Sequence, residues 1–130
     1  MKSYVIFDLD GTLLNTIDDL AAATNHALEQ SGFPTHGDWA YPAMVGNGVR
    51  KLIERALPVD ARSEETVAKV LAVFTEYYSG HCCDATKPYP GIPELIADFT
   101  ARGINLAVTS NKYQQAVDII VSHYFPEGNF

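Results

Sequence analysis

Cysteine is scarce in this sequence, and so is positive charge. The two cysteines are adjacent, Cys82 and Cys83, which is neither a disulfide framework nor a Cys-x-x-Cys redox or zinc pattern. A reduced, cytoplasmic setting is therefore expected. Nine Lys and Arg stand against sixteen Asp and Glu, a net charge of −7. That balance argues against nucleic acid or an anionic membrane surface as partner. An anionic ligand of any kind would have to be drawn in by local positive groups and not by the overall field. No apolar run approaches the roughly 20 residues of a membrane span. The N-terminus lacks the basic-then-apolar pattern of a signal peptide. Repeats and low-complexity segments are missing. His26, His36 and His123 are isolated, and His81-Cys82-Cys83-Asp84 is contiguous. Contiguous side chains point in different directions, which argues against a metal site there.

What is present begins with 47% apolar residues in a chain of 130, enough to pack one ordinary domain or two small ones. The organising stretch is Tyr4-Val5-Ile6-Phe7-Asp8-Leu9-Asp10-Gly11-Thr12-Leu13-Leu14. A short apolar run rich in β-branched and aromatic residues reads as a strand buried on both faces, as in a parallel sheet. Active sites gather at the carboxyl ends of such strands, and Asp8 lies at that end with Asp10 two residues on. A plain reading makes this an Asp-Gly turn whose acids cap a helix. The alternative is chemical. Two carboxylates this close need a counter-charge, and hard oxygen donors suit Mg²⁺. One carboxylate can then attack phosphorus, while the second protonates the leaving oxygen and activates water.

Further along, Thr16 with Asp18 and Asp19 suits a helix start resembling a capping box, with Leu20, Ala23, Ala27 and Leu28 inward and a stop near Gly32. Residues 33–43 read as a loop. Val49, Leu52, Ile53, Ala56 and Leu57 follow helical spacing up to Pro58. Ser63 can cap a third helix whose inner face is Val67, Val70, Leu71, Phe74 and Tyr78. Lys87-Pro88-Tyr89-Pro90-Gly91 is a stiff connector. Pro93 suits the first turn of a helix with Leu95, Ile96 and Phe99 inward. Residues 104–109 are a second buried strand, and a last helix spans about 113–123. A crossover between parallel strands needs only a dozen or so residues. The surplus of about 16–84 is expected to pack as an inserted helical cap. Residues 1–15 and 85–130 then form a discontinuous Rossmann-like α/β core.

Asp8-Leu9-Asp10-Gly11-Thr12 resembles the first motif of the haloacid-dehalogenase-like (HAD) phosphohydrolases. Its extension through Leu20 is similar to the phosphoglycolate-phosphatase-like branch, with Asn15 where that branch more often has Asp. The resemblance implies a three-layer core, a helical cap after the first strand, and a Mg²⁺-dependent phosphomonoester hydrolase acting on a small phosphorylated metabolite. In it Asp8 is nucleophile and metal ligand. Asp10 is general acid/base and binds the metal through its backbone carbonyl.

If residues 104–109 lie beside the first strand, the hydroxyls and N–H groups of Thr109-Ser110-Asn111 sit next to Asp8. A helix cap is the plain alternative. The stretch resembles the family's second motif, which implies that Ser110 and Asn111 bind the phosphoryl group, Thr109 merely completing the strand. Gly46-Asn47-Gly48-Val49-Arg50 resembles the segment by which related caps reach the substrate. Arg50 is then a candidate for pairing with a substrate anion, or else an exposed helix arginine.

The family's third motif, a lysine, and its fourth, an acidic pair, normally follow later strands. The expectation is a chain incomplete at its C-terminus, inactive alone and prone to self-association through an open sheet edge. The place of Lys112 directly after the second motif argues against it as the missing lysine. Asp118, inside a helix, is a poor substitute for the fourth motif. A phosphomutase uses the same two acids and stands as an alternative, as does a non-catalytic fragment or interaction module.

Overall fold

The computed structural model describes residues 3–130. In chain order its elements are β1 (Tyr4–Asp8), β2 (Leu14–Asn15), α1 (Ile17–Gln30), α2 (Tyr41–Met44), α3 (Val49–Ala56), α4 (Glu64–His81), β3 (Lys87–Pro88), α5 (Ile92–Ala101), β4 (Asn105–Thr109) and α6 (Gln114–Tyr124). The class is α/β. β1 and β4 pair in parallel, in register from Tyr4↔Asn105 to Asp8↔Thr109. Both strands therefore deliver their carboxyl ends, Asp8 and Thr109, to the same side.

One face of this sheet is covered. Val5 and Phe7 pair with Leu106 and Val108, and α5 packs on β4. The Phe7 ring stacks on Phe99 of α5 at 6.3 Å and meets Phe130 edge-on at 6.4 Å. The other face is open, with Tyr4 and Ile6 67% and 68% exposed. This corrects the expectation of a strand buried on both sides. An apolar run records what a strand tolerates, and here the covering helix lies on one side only. Leu95, expected inward on α5, is likewise exposed; Ile96 alone of its triplet is fully buried.

Between β2 and β3 the helices pack on each other, α1 and α3 both against α4. Their apolar faces are the ones read from spacing: Leu52, Ile53 and Ala56 on α3, and Val67, Val70, Phe74 and Tyr78 on α4, are buried. The Ser63 hydroxyl accepts the Thr66 N–H at 3.2 Å and caps α4. α1 ends at Gly32, whose φ of +79° suits the residue type. Residues 33–43 are not a plain loop. They hold a 3₁₀ turn at Asp38–Ala40 and the one-turn α2, anchored by the fully buried Tyr41. Tyr41 Oη donates to Asn25 Oδ1. Asn25 in turn brackets His36 through the His36 carbonyl at 2.9 Å and N–H at 3.0 Å. His36 Nε2 meets the Ala56 carbonyl at 2.7 Å, so this histidine has a structural task.

The capping box at α1 does not form. Thr16 holds the N-cap position without a side-chain cap bond, and Asp19 turns inward, 4% exposed. Its carboxylate accepts the N–H of Ala85 at 2.9 Å and the N–H and hydroxyl of Thr86 at 2.8 and 2.6 Å. Beside it β2 and β3 form a short antiparallel ribbon, Leu14↔Pro88 and Asn15↔Lys87. The two connections of the insertion are thus stitched to each other.

Removing the Asp19 carboxylate strands two backbone donors, and a hydrogen bond to a charged group contributes about 1.5–3 kcal/mol. Asp19→Ala is expected to lower the unfolding free energy by about 3 kcal/mol in urea titrations, against about 1 kcal/mol for Ser63→Ala. Alkali tests the buried phenols. Burial, then the Asp38 charge, pushes Tyr41 up to about 12. Burial, then Cys83, pushes Tyr124 up to about 12. Unfolded phenols titrate near 10, so the folded state holds these protons longer. Their contribution is full below about pH 10 and is lost as pH rises through about 12. Urea midpoints are expected to fall above about pH 9, where burial also holds the Cys83 proton on up to about 12, and more steeply above about pH 10, the steeper part being reduced in Tyr124→Phe.

Candidate active site

The first acidic loop is built on buried leucines. Leu9, Leu13 and Leu14 are fully buried, and the N–H groups of Leu13 and Leu14 both donate to the Leu9 carbonyl at 3.1 Å. Gly11, at φ +80°, makes the reversal. Asp8 and Asp10 are thereby held in a tight loop at the end of β1. Asp8 Oδ1 accepts the Leu9 N–H at 2.9 Å. After β4, the Ser110 hydroxyl accepts the Lys112 N–H at 3.1 Å, which turns the chain into α6.

These loops share a cavity of about 340 Å³. Asp8, Asp10, Ser110, Asn111 and Lys112 line one side; Val45, Gly46, Asn47, Gly48 and Val49 line the other. The sequence-derived acids and the Ser110-Asn111 pair are therefore brought together, and Thr109 ends the strand outside. Arg50 is not. It pairs with Glu54 at 3.4 Å and borders a separate, shallow groove with residues of α4. Arg50 is thus outside the cavity lining, which takes its residues here from the loop that precedes it. Asp118 accepts from Gln114 at 2.7 Å on exposed α6, remote from the lining.

Lys112, argued against only as a substitute for the family's third-motif lysine, lines this cavity. Its side chain is 2% exposed and Nζ lies 2.9 Å from Asp10 Oδ1. The same nitrogen donates to the Tyr78 hydroxyl and lies 4.5 Å from the Tyr78 ring centroid. Thr16 donates its hydroxyl to the same Asp10 oxygen at 2.6 Å. Tyr78 comes from α4, so the helical insertion grips the acidic loop directly. Burial, then the Asp10 charge, pushes the Tyr78 phenol far above its ordinary range, so it stays a neutral donor and acceptor. Reading Tyr78 as a core aromatic was right for its ring and silent on its hydroxyl. Nothing in the local pattern marks Thr16 or Lys112 as partners of Asp10.

The donors facing the cavity suit a hard divalent cation. The Asp8 carboxylate and the Asp10 backbone carbonyl are oxygen ligands of the kind Mg²⁺ takes. Asp10 Oδ1 is already committed to Lys112 and Thr16. Among the described residues no three His, Cys, Asp or Glu side chains converge, so these two acids would supply only part of a coordination sphere. The cysteines are not rivals. Burial raises the Cys82 thiol and takes that of Cys83 up to about 12, which keeps both protonated at neutral pH.

Comparison with known proteins agrees with this geometry. The chain is 37% identical over 115 residues to a phosphoglycolate phosphatase of Mesorhizobium japonicum, an alignment covering 87% of this chain and 51% of that one. It is 34% identical over 126 residues to the phosphoglycolate phosphatase of Aquifex aeolicus, covering 93% and 57%. A crystal structure of a phosphoglycolate-phosphatase-like protein from Lactobacillus delbrueckii superposes with a TM-score of 0.87 at 35% identity, covering all of this chain and 63% of that one. The chain thus spans about half to three fifths of the length of the curated relatives it matches. The family model described as haloacid dehalogenase-like hydrolase matches residues 5–127, and the chain belongs to that family.

Proposed function

We propose that this chain carries the nucleophile, the acid/base and the phosphate loop of a Mg²⁺-dependent phosphomonoester hydrolase. Its substrate class is a small phosphorylated acid such as phosphoglycolate. The observation that carries the reading is the convergence of Asp8 and Asp10 with Ser110, Asn111 and Lys112 in one cavity at the ends of two paired parallel strands.

The Asp8 carboxylate attacks phosphorus, the bond to the ester oxygen breaks, and an aspartyl-phosphate forms. Asp10 gives a proton to the departing alkoxide, then takes one from the water that hydrolyses the acyl phosphate. Thr16 and Lys112 both engage Asp10 Oδ1, which leaves Oδ2 for these transfers. Ser110 and Asn111 hold phosphoryl oxygens as charge builds on them. The Asp8 carboxylate and the Asp10 backbone carbonyl would hold Mg²⁺, which when bound would offset the repulsion between carboxylate and phosphate. The helical insertion of residues 16–84 acts as the cap that closes the cavity.

Two variants in the full natural protein test the reading. Asp8→Asn keeps size and shape but cannot attack phosphorus, so kcat should fall more than about a hundredfold, roughly 2.7 kcal/mol of barrier, at an unchanged melting temperature. Residual turnover above that level would remove Asp8 as nucleophile. Lys112→Met keeps the buried volume and deletes the cation beside Asp10. A loss in kcat of about 10²–10³ is expected, the scale for one electrostatic contact in a closed site. A loss below about threefold would make Lys112 structural only.

A further inference from the structure

The insertion lines the cavity with Thr16, Ile17 and Leu20 at the start of α1, with Pro42, Val49 and Leu52, and with the loop of residues 45–48 between α2 and α3. The loop's backbone is hydrogen-bonded at its two ends, where the Val45 N–H donates to the Tyr41 carbonyl and the Leu52 N–H to the Gly48 carbonyl. Gly46, Asn47 and Gly48 carry φ of +99°, +66° and +91° in succession, and such a run propagates neither helix nor strand. Asn47 is the one non-glycine residue with positive φ among the described residues.

The loop is fixed by Arg55, in the last turn of α3. Arg55 Nη1 donates to the carbonyls of Met44 and Gly46, both at 3.1 Å, and Nη2 donates to Asn47 Oδ1 at 3.0 Å. Three neutral acceptors across four residues match the rigid fork of a guanidinium, which an ammonium cannot reproduce. Arg55 has no carboxylate partner among the described residues. It stands on firm ground, because the neighbouring Ala56 and Leu57 are buried and its carbonyl accepts from Arg62 at 3.3 Å. On its other side the loop rests on the phosphate loop. A Cβ placed on Gly48 would lie 3.1 Å from the Asn111 carbonyl oxygen. The segment is gripped from behind by Arg55 and seated in front on Asn111.

We propose that Arg55 is a positioning residue for substrate selection. By pinning Gly46-Asn47-Gly48 against Asn111 it sets the cap-side wall of the cavity, and so the size and polarity of the group that the phosphate ester carries. Arg55 does not line the cavity itself. The specificity part of the proposal rests on the phosphatase reading; the loop-fixing part does not.

The test compares wild type, Arg55→Gln, Arg55→Lys and Gly48→Ala in the full natural protein. Two substrates are used: 2-phosphoglycolate, and phenyl phosphate, which offers the loop no polar group. In Arg55→Gln, KM for 2-phosphoglycolate is expected to rise about tenfold or more, the usual cost of a lost specificity contact, while kcat and both constants for phenyl phosphate stay close to wild type. Arg55→Lys should behave like Arg55→Gln, since charge without the fork does not hold the loop. Gly48→Ala crowds Asn111 itself, so it should impair both esters and marks the pattern expected of damage to the phosphate loop. Amide hydrogen exchange is the second readout. In Arg55→Gln it should quicken at residues 45–48 and stay unchanged in α1 and α4. Unchanged exchange at 45–48, a Lys variant equal to wild type, or a parallel loss on both esters in Arg55→Gln would overturn the proposal. Should wild type hydrolyse neither ester, the phosphatase reading fails, and the exchange data alone decide whether Arg55 fixes the loop.

Discussion

Two parallel strands cannot be joined by a tight turn, because the second must start where the first one started. Pairing β1 with β4 therefore obliges the chain to leave from the carboxyl end of β1 and travel back before β4 begins. The same pairing puts Asp8 level with Thr109, so the acidic loop and the Ser110 loop emerge side by side. Whatever the chain builds as it leaves β1 must stand over that end of the sheet. The helical layer of α1–α4 does so, and the cavity is the gap between it and the strand ends.

The ion pair between Lys112 and Asp10 lies at the floor of that gap. Burying two charges costs more than their attraction returns unless the remaining polar atoms are satisfied. Here Thr16 and Tyr78 satisfy them, and among the described residues no buried side-chain nitrogen or oxygen is left without a partner. The four residues come from three separate stretches of chain. Thr16 and Lys112 hold the acid directly, and Tyr78 of α4 holds Lys112.

Much of this was legible in order along the chain. β1, β4, α3 and α4 announce themselves by local periodicity, and Asp8, Asp10, Ser110 and Asn111 by a loop pattern set immediately after a strand. What was not legible is direction. Arg50 and Arg55 lie five residues apart on one helix, about 140° apart around its axis. One points to an outer groove and the other to the loop, and composition cannot distinguish them. Asp19 sits where a capping residue belongs but bonds to backbone 66 positions away. One-sided cover on β1 depends on which helices pack, and an apolar run carries no record of that. The pairing of Lys112 with Asp10 joins residues about a hundred positions apart, which no local pattern records.

The stitching of the insertion's two connections has a mechanical meaning. A body attached by two independent tethers can slide, twist and tilt relative to its base. Here the entering and leaving strands are hydrogen-bonded to each other, with Leu14 opposite Pro88 and Asn15 opposite Lys87. One buried carboxylate near the start of α1 also grips Ala85 and Thr86 on the way out. Two tethers fused in this way behave as one axle. Any displacement of the helical layer relative to the strand ends has to work through that single ribbon, which the pairing of Leu14 with Pro88 and of Asn15 with Lys87 closes.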